Sequence, residues 1–164
     1  MKKFFFWTFV SWVVFAFSTS AFAQVEKLDK EVLRGLGRIH VTVERLQPEI
    51  ERDGLYGNLL VSDVEMKLKM AGIAVLSEEE YLQNSPVSSL LLRVNTLKRR
   101  FGYIYSVDLF LVEPVVLTRN KIRRDAKVLE IPGVWGMGRL SDIREKAADT
   151  VDGFIRAWQA ANSK

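Results

Sequence analysis

Residues 89–97 (SLLLRVNTL) and 103–112 (YIYSVDLFLV), joined by 98–102 (KRRFG), decide the fold. In the second segment Tyr103, Tyr105, Val107, Leu109 and Leu111 fall on one side and Ser106 and Asp108 on the other, the period-two alternation of a half-buried strand. The five residues between the segments end in Gly102, which can take positive φ at the end of a hairpin loop. An antiparallel β-hairpin is therefore the anchor of the reading. Beyond it Pro114 limits further pairing, with Val115, Val116 and Leu117 able to extend the strand past a bulge. Residues 118–125 read as a polar loop, and 126–131 as a further strand ending before Pro132-Gly133.

On the N-terminal side, residues 39–44 (IHVTVE) alternate Ile39, Val41 and Val43 against His40, Thr42 and Glu44, and their β-branched content favours a strand. Ser62-Asp63-Val64-Glu65 has the form of a capping box, which places a helix start near Ser62. Val64, Leu68 and Ala71 continue it as an apolar stripe, and Gly72 supplies a stop. Residues 73–76 (IAVL) form a short buried-type strand, so strand, helix and strand make a crossover unit. Ser77-Glu78-Glu79-Glu80 repeats the box and starts a short helix. A long amphipathic helix begins near Ser141, with Leu140, Ile143, Ala147, Val151, Phe154, Ile155 and Trp158 at helical spacing. Gly153 inside it is read as a close approach of backbone to sheet. The expected class is α+β: a single mixed/antiparallel sheet of about five strands with two main helices packed on one face.

Residues 1–23 have a composition of their own. They hold seven of the ten Phe, two of the four Trp and no acidic residue. Lys2 and Lys3 precede an apolar run over 4–17, and Ala21-Phe22-Ala23 closes it as an A-x-A site. This is the layout of a secretory signal peptide cleaved after Ala23. The uninterrupted apolar run is short for a membrane span, which needs about 20 residues. The expected organisation is a signal peptide, 1–23, and a single α+β domain, 24–164, exported to a bacterial periplasm with no integral span after cleavage. That domain carries 22 basic and 20 acidic residues, or +2, and the absence of cysteine excludes disulfides, thiolate metal sites and a cysteine nucleophile.

The chemistry-bearing residues do not assemble into a catalytic site. His40 is the only histidine; with Glu44 it offers two metal ligands where a catalytic zinc site takes three protein ligands and a structural one four. The reading is a half-exposed strand residue. Asp63, Glu65 and Glu78–Glu80 are accounted for by helix starts, and Asp149 and Asp152 by a solvated helix face. No catalytic residue, metal or cofactor is assigned. The stretch 132–138 (PGVWGMG) lacks the G-x-G-x-x-G spacing; its glycines and Trp135 fit either an irregular strand or an interaction loop formed by Gly133, Trp135, Gly136 and Gly138. Residues 24–88 carry −4 and 89–164 carry +6. Within the second part Lys98-Arg99-Arg100 and the group Arg119, Lys121, Arg123, Arg124 and Lys127 concentrate the positive charge. Arg119, Lys121, Arg123 and Arg124 are the candidate contact for an anionic partner. The two groups flank one strand and should lie roughly 45 Å apart, so no single basic stripe for nucleic acid is expected.

Read as a whole, residues 35–164 resemble a family of small uncharacterised exported proteins of Gram-negative bacteria. The resemblance rests on Val41-Thr42-Val43-Glu44, Asp53-Gly54-Leu55, Asp63-Val64-Glu65, Ala71-Gly72-Ile73, Tyr103-Ile104-Tyr105, Val151-Asp152-Gly153-Phe154-Ile155 and Ala161-Asn162-Ser163-Lys164. Where such relatives tend to carry Thr-Trp-Ser, this chain has Val134-Trp135-Gly136. The resemblance implies export and carries over no particular activity. The expectation is a non-enzymatic binding module of the cell envelope, with an envelope protein, an anionic envelope component or a second copy (a homodimer) as partner. The alternatives are a carrier of a small apolar ligand or lipid held between sheet and helices, and, ranked last, a hydrolase.

Overall fold

The alternation that reads as a hairpin folds as one. The computed structural model describes residues 30–163 apart from Ser85; the expected export segment 1–23 lies outside the described residues. A helical turn over 30–33 leads into β1 (Arg38–Val43), α1 (Pro48–Arg52), α2 (Gly57–Met70), β2 (Ala74–Leu76), α3 (Glu78–Asn84), β3 (Ser89–Arg99), β4 (Gly102–Val116), β5 (Arg123–Gly138) and α4 (Leu140–Asn162). The sheet order is β2-β1-β3-β4-β5. β1 runs parallel to both β2 and β3, while β3–β4 and β4–β5 are antiparallel. This is the mixed α+β sheet that the sequence implies.

The position of β1 between β2 and β3 explains where the helices go. A parallel crossover is right-handed in nearly all proteins. From β1 to β2 the chain moves one way across the sheet through α1 and α2; from β2 to β3 it must come back over β1. Keeping the same hand puts the returning element, α3, on the opposite face. Thus α2 and α4 pack side by side on one face, tied by ion pairs of Asp63 with Arg144 and of Lys67 with Asp152 (2.6 Å). The short α3 covers the other face at the β2 end only. The interior between sheet and main helices is filled by fully buried side chains, among them Ile39, Leu60, Leu68, Leu90, Leu92, Leu109, Leu111, Ile143 and Phe154.

Local signals were in part misleading. α2 begins at Gly57, with Tyr56 in the capping position and no side-chain cap. Ser62 is therefore exposed in mid-helix, Glu65 pairs with Lys69 one turn on (2.9 Å), and Asp63 faces Arg144. The second box is real: the Ser77 N–H donates to Glu80 Oε2 (2.8 Å), and the Glu80 N–H donates to Ser77 Oγ (3.2 Å). Gly72, at φ 81°, ends α2 as expected, with the Ile73 N–H returning to the Leu68 carbonyl (3.0 Å). At Gly153 an added Cβ would meet Ile131 Cγ2 at 3.7 Å, ordinary van der Waals contact, so no tight approach requires glycine there. Asp152 is not simply solvated but held by Lys67.

The last strand is the largest departure. β5 starts at Arg123 and runs without interruption through Pro132-Gly133 to Gly138. As the edge strand among the described residues, it can hold a proline, because no described strand on its outer side waits for the missing N–H. Register shifts opposite Val107/Leu109 and Leu111/Val112 absorb the irregularity as bulges.

Candidate interaction surface

The face of the sheet away from α2 and α4 is covered in two different ways and left bare in a third place. At the β2 end α3 lies over His40, whose ring stacks on Tyr81 at 4.3 Å between centroids. His40 Nε2 sits 3.1 Å from Glu78 Oε2, and Nδ1 sits 3.3 Å from the Leu76 carbonyl. The expected half-exposed histidine is therefore buried, because the return crossover passes over it. Among the described residues no group of three or more His, Cys, Asp or Glu could hold a metal ion.

In the middle of the same face Phe110 has no helix of the described residues above it, yet is only 6% exposed. The Arg93 guanidinium lies 5.1 Å from the centre of its ring and the Lys127 ammonium 3.8 Å. Cations seated on an aromatic face gain from the ring quadrupole, and their aliphatic stems exclude water. Arg93 also pairs with Glu44 at 2.6 Å. This part of the surface is closed by its own side chains.

The hairpin end is not closed. In register, Leu97 of β3 stands opposite Ile104 of β4, and Ile104 opposite Met137 of β5; one row further in, Asn95, Ser106 and Trp135 line up. Their exposures are 49% for Leu97, 41% for Ile104, 74% for Met137 and 83% for Trp135, with Phe101 in the adjoining turn at 87%. Together these side chains present apolar surface on the order of 500 Å², the range in which the largest patch on a monomer is commonly functional. The turn itself is only Arg100-Phe101, shorter than the five residues expected, and the Arg100 guanidinium lies 5.3 Å from the Phe101 ring centre.

Basic residues rim this end. Arg99 follows Leu97 on the same face of β3 by alternation, and Arg139 follows the end of β5. Among the described residues no carboxylate lies within ion-pair distance of Arg99 or Arg100. The nearby acids are engaged elsewhere. Asp53 accepts from Lys98 (2.6 Å) and from the Tyr103 hydroxyl; these bonds hold its carboxyl below the usual range and push the tyrosine up. Asp142 accepts the Arg139 N–H at 2.8 Å, the cap of α4, which likewise lowers it.

The residues singled out from sequence separate into two places. Gly133, Trp135, Gly136 and Gly138 lie in β5, a strand and not a loop. Their glycines answer to neighbours: a Cβ at Gly133 would strike the Asp108 carboxylate and the Val107 carbonyl, at Gly136 the Tyr105 hydroxyl (2.7 Å), and at Gly138 the Asp142 carboxylate. They make room for side chains of β4 and α4, the aromatic of Tyr105 covering the Gly136 backbone. Arg119, Lys121, Arg123 and Arg124 are exposed at the opposite end, where Arg123 pairs in register with Val116. Arg123 and Arg124 belong to β5 itself, and only Arg119 and Lys121 to the turn. Strand spacing puts this group roughly 45 Å from Met137, so the structure does not bring the cationic group and Trp135 together. Leu97, Phe101, Ile104 and Met137 join the surface without having been expected from their place in the sequence. The signal was present in β4: a strand whose outward positions include Ile104 and Phe110 is apolar on both sides.

A groove of about 600 Å³ opens at that opposite end, lined by Arg34, Arg38, Val87, Glu113 and Pro114 among others. No helix among the described residues is long and apolar enough to cross a membrane.

No protein-family model matches the chain, and no curated protein does. Among solved structures it is similar to a PelC dodecamer from Paraburkholderia phytofirmans, with 15% identity, 73% of this chain and 88% of that chain covered, and a TM-score of 0.41. It is also similar to a minor lipoprotein from Acinetobacter baumannii, with 12% identity, 77% and 93% covered, and a TM-score of 0.32. Likenesses this distant assign neither family nor activity.

Proposed function

We propose that the protein is a non-enzymatic binding module of the Gram-negative cell envelope, related to the small exported proteins it resembles. In this reading the signal peptide 1–23 directs it to the periplasm and is cleaved after Ala23, and it holds its partner on the bare hairpin end of the sheet. The observation that carries the binding reading is the contrast on one face: Phe110 is sealed by two cations, whereas Trp135, Met137, Leu97 and Ile104 are left to solvent. A domain that could cover one aromatic could cover the others. The non-enzymatic reading is supported by the ionisable groups, since the lowered carboxyls of Asp53, Asp63, Glu80, Asp142 and Asp149 each have an ion pair or helix cap as their cause.

Two measurements test it. Intact mass of the native product should correspond to a chain beginning at Gln24; a product still beginning at Met1 refutes the cleavage. A photo-crosslinking amino acid at Met137, compared with one at Arg119 on the opposite end, should give adducts in intact cells from Met137 alone. Adducts from Arg119 and none from Met137 would move the contact surface elsewhere.

A further inference from the structure

We infer that the occupant of the hairpin end is a lipid bilayer surface carrying anionic headgroups; this rests on the binding reading above and names its partner.

Three features of the surface select that occupant. Its position comes first: Arg100-Phe101 is a two-residue turn at the extreme end of the two long strands β3 and β4. A side chain there can enter an interfacial layer while the rest of the domain stays in water. Its apolar groups come second. Trp and Phe have large rings suited to the headgroup level of a bilayer, and the aliphatic row Leu97–Ile104–Met137 beside them is apolar enough to follow. Charge comes third. Arg99 and Arg100 precede Phe101, Arg139 flanks Met137, and the neighbouring carboxylates are held within the fold, Asp53 by Lys98 and Asp142 by the Arg139 N–H. A polybasic rim around an apolar centre complements lipid phosphates.

A second copy is disfavoured by the same charges. A symmetric face-to-face dimer brings each patch against itself, which would set the Arg99 and Arg100 of one molecule near those of the other. Edge pairing through β5 meets Pro132, two bulges and the exposed Lys127, the devices that keep edge strands apart. The groove among Arg34, Arg38 and Glu113 lies at the other end of the sheet, so it offers no concave seat for a protein segment beside Trp135.

The test uses the exported protein purified as its native product and flotation with vesicles of phosphatidylcholine alone or of equimolar phosphatidylglycerol and phosphatidylcholine. Binding should be at least about tenfold tighter to the anionic vesicles and should weaken with salt. Joint Phe101→Ala and Trp135→Ala should lose about tenfold or more, as should joint Arg99→Gln and Arg100→Gln. Arg123→Gln with Arg124→Gln, at the far end, should leave binding unchanged. All these side chains are exposed, so unchanged melting will confirm folding. Brominated lipid should quench tryptophan emission in the wild type and fail to do so in Trp135→Phe. Absence of flotation overturns the inference, as does equal loss from the far-end arginines, which would mean charge attraction without docking. If vesicles fail while Met137 crosslinks to a protein, the lipid partner is wrong and the binding surface stands; if both fail, the binding reading falls too. A concentration-dependent dimer abolished by Trp135→Ala would identify a second copy as the occupant and overturn the lipid assignment.

Discussion

Replacing Gly153 with alanine is expected to stabilise the domain by about 1 kcal/mol. Gly153 lies in the interior of α4, whose helical span runs from Leu140 to Asn162. Glycine there costs about 1 kcal/mol relative to alanine, through backbone entropy lost on folding. The structure sets the counter-term. The new methyl would touch Ile131 Cγ2 at 3.7 Å and Arg156 Nη2 at 4.0 Å, with nothing closer. It therefore enters without strain and adds a few tenths of a kcal/mol of burial at most, a fraction of the ~0.8 kcal/mol of a fully buried methylene. For a domain of this size 1 kcal/mol corresponds to a rise in Tm of roughly 3–4 °C. Urea unfolding of wild type and variant should give equal slopes and a midpoint raised by about 0.5 M for a slope near 2 kcal/mol/M. A lower midpoint for Gly153→Ala would refute the reasoning, because it would mean that α4 presses on β5 more closely than these distances say.

Gly138→Ala should have the opposite sign: its Cβ collides with the Asp142 carboxylate that caps α4, at a cost of about 1–2 kcal/mol by the same urea measurement. Tyr81→Ala removes the ring stacked on His40 and should cost about 1–2 kcal/mol; protection of the α3 amides in hydrogen exchange should fall before that of β4, and uniform loss would contradict the assignment of α3 as a separate cover. Stability should fall with acid. Asp53, Asp63 and Asp142 have folded-state pKa values below their unfolded ones, so their contribution is present above about pH 4 and is lost as the pH drops through the folded values. Asp63→Asn should shrink that decline, and a Tm that is flat on acidification would exclude the linkage.

What the sequence reveals depends on how local the cause is. The β3–β4 hairpin was legible because its alternation follows from one pleated surface facing one core, and α4 because its stripe persists over the length of the helix. The sequence ends β5 at Ile131 because Pro132-Gly133 ordinarily ends a strand; only the edge position of β5 removes that objection, and edge position is a property of the whole sheet. The start of α2 is hidden for a related reason. Ser62 and Glu65 satisfy the pattern of a cap, but the pattern also arises by chance on an exposed helical face, and the true start at Tyr56-Gly57 carries no capping side chain. The burial of His40 is not legible locally because its cover comes from the crossover handedness of β2 to β3. Trp135 was singled out for its surroundings of glycine, yet those glycines serve Tyr105, Asp108 and Asp142; the apolar patch depends on cross-strand register, which places Leu97, Ile104 and Met137 in one row although they are dispersed along the chain.

The end of α4 is sewn to the beginning of the described chain: Asn162 Nδ2 donates to the Leu33 carbonyl (2.9 Å), its Oδ1 accepts the Gly35 N–H (2.8 Å), and the Trp158 indole donates to the Leu36 carbonyl (2.8 Å). Entry and exit of the fold are thus neighbours, which is the condition for circular permutation. A short flexible link from residue 163 back to 30, with new ends opened in the exposed turn at 118–120, should preserve every strand pairing. Such a rearranged chain would carry fusions beside Arg119 and leave Phe101 at the far tip unobstructed.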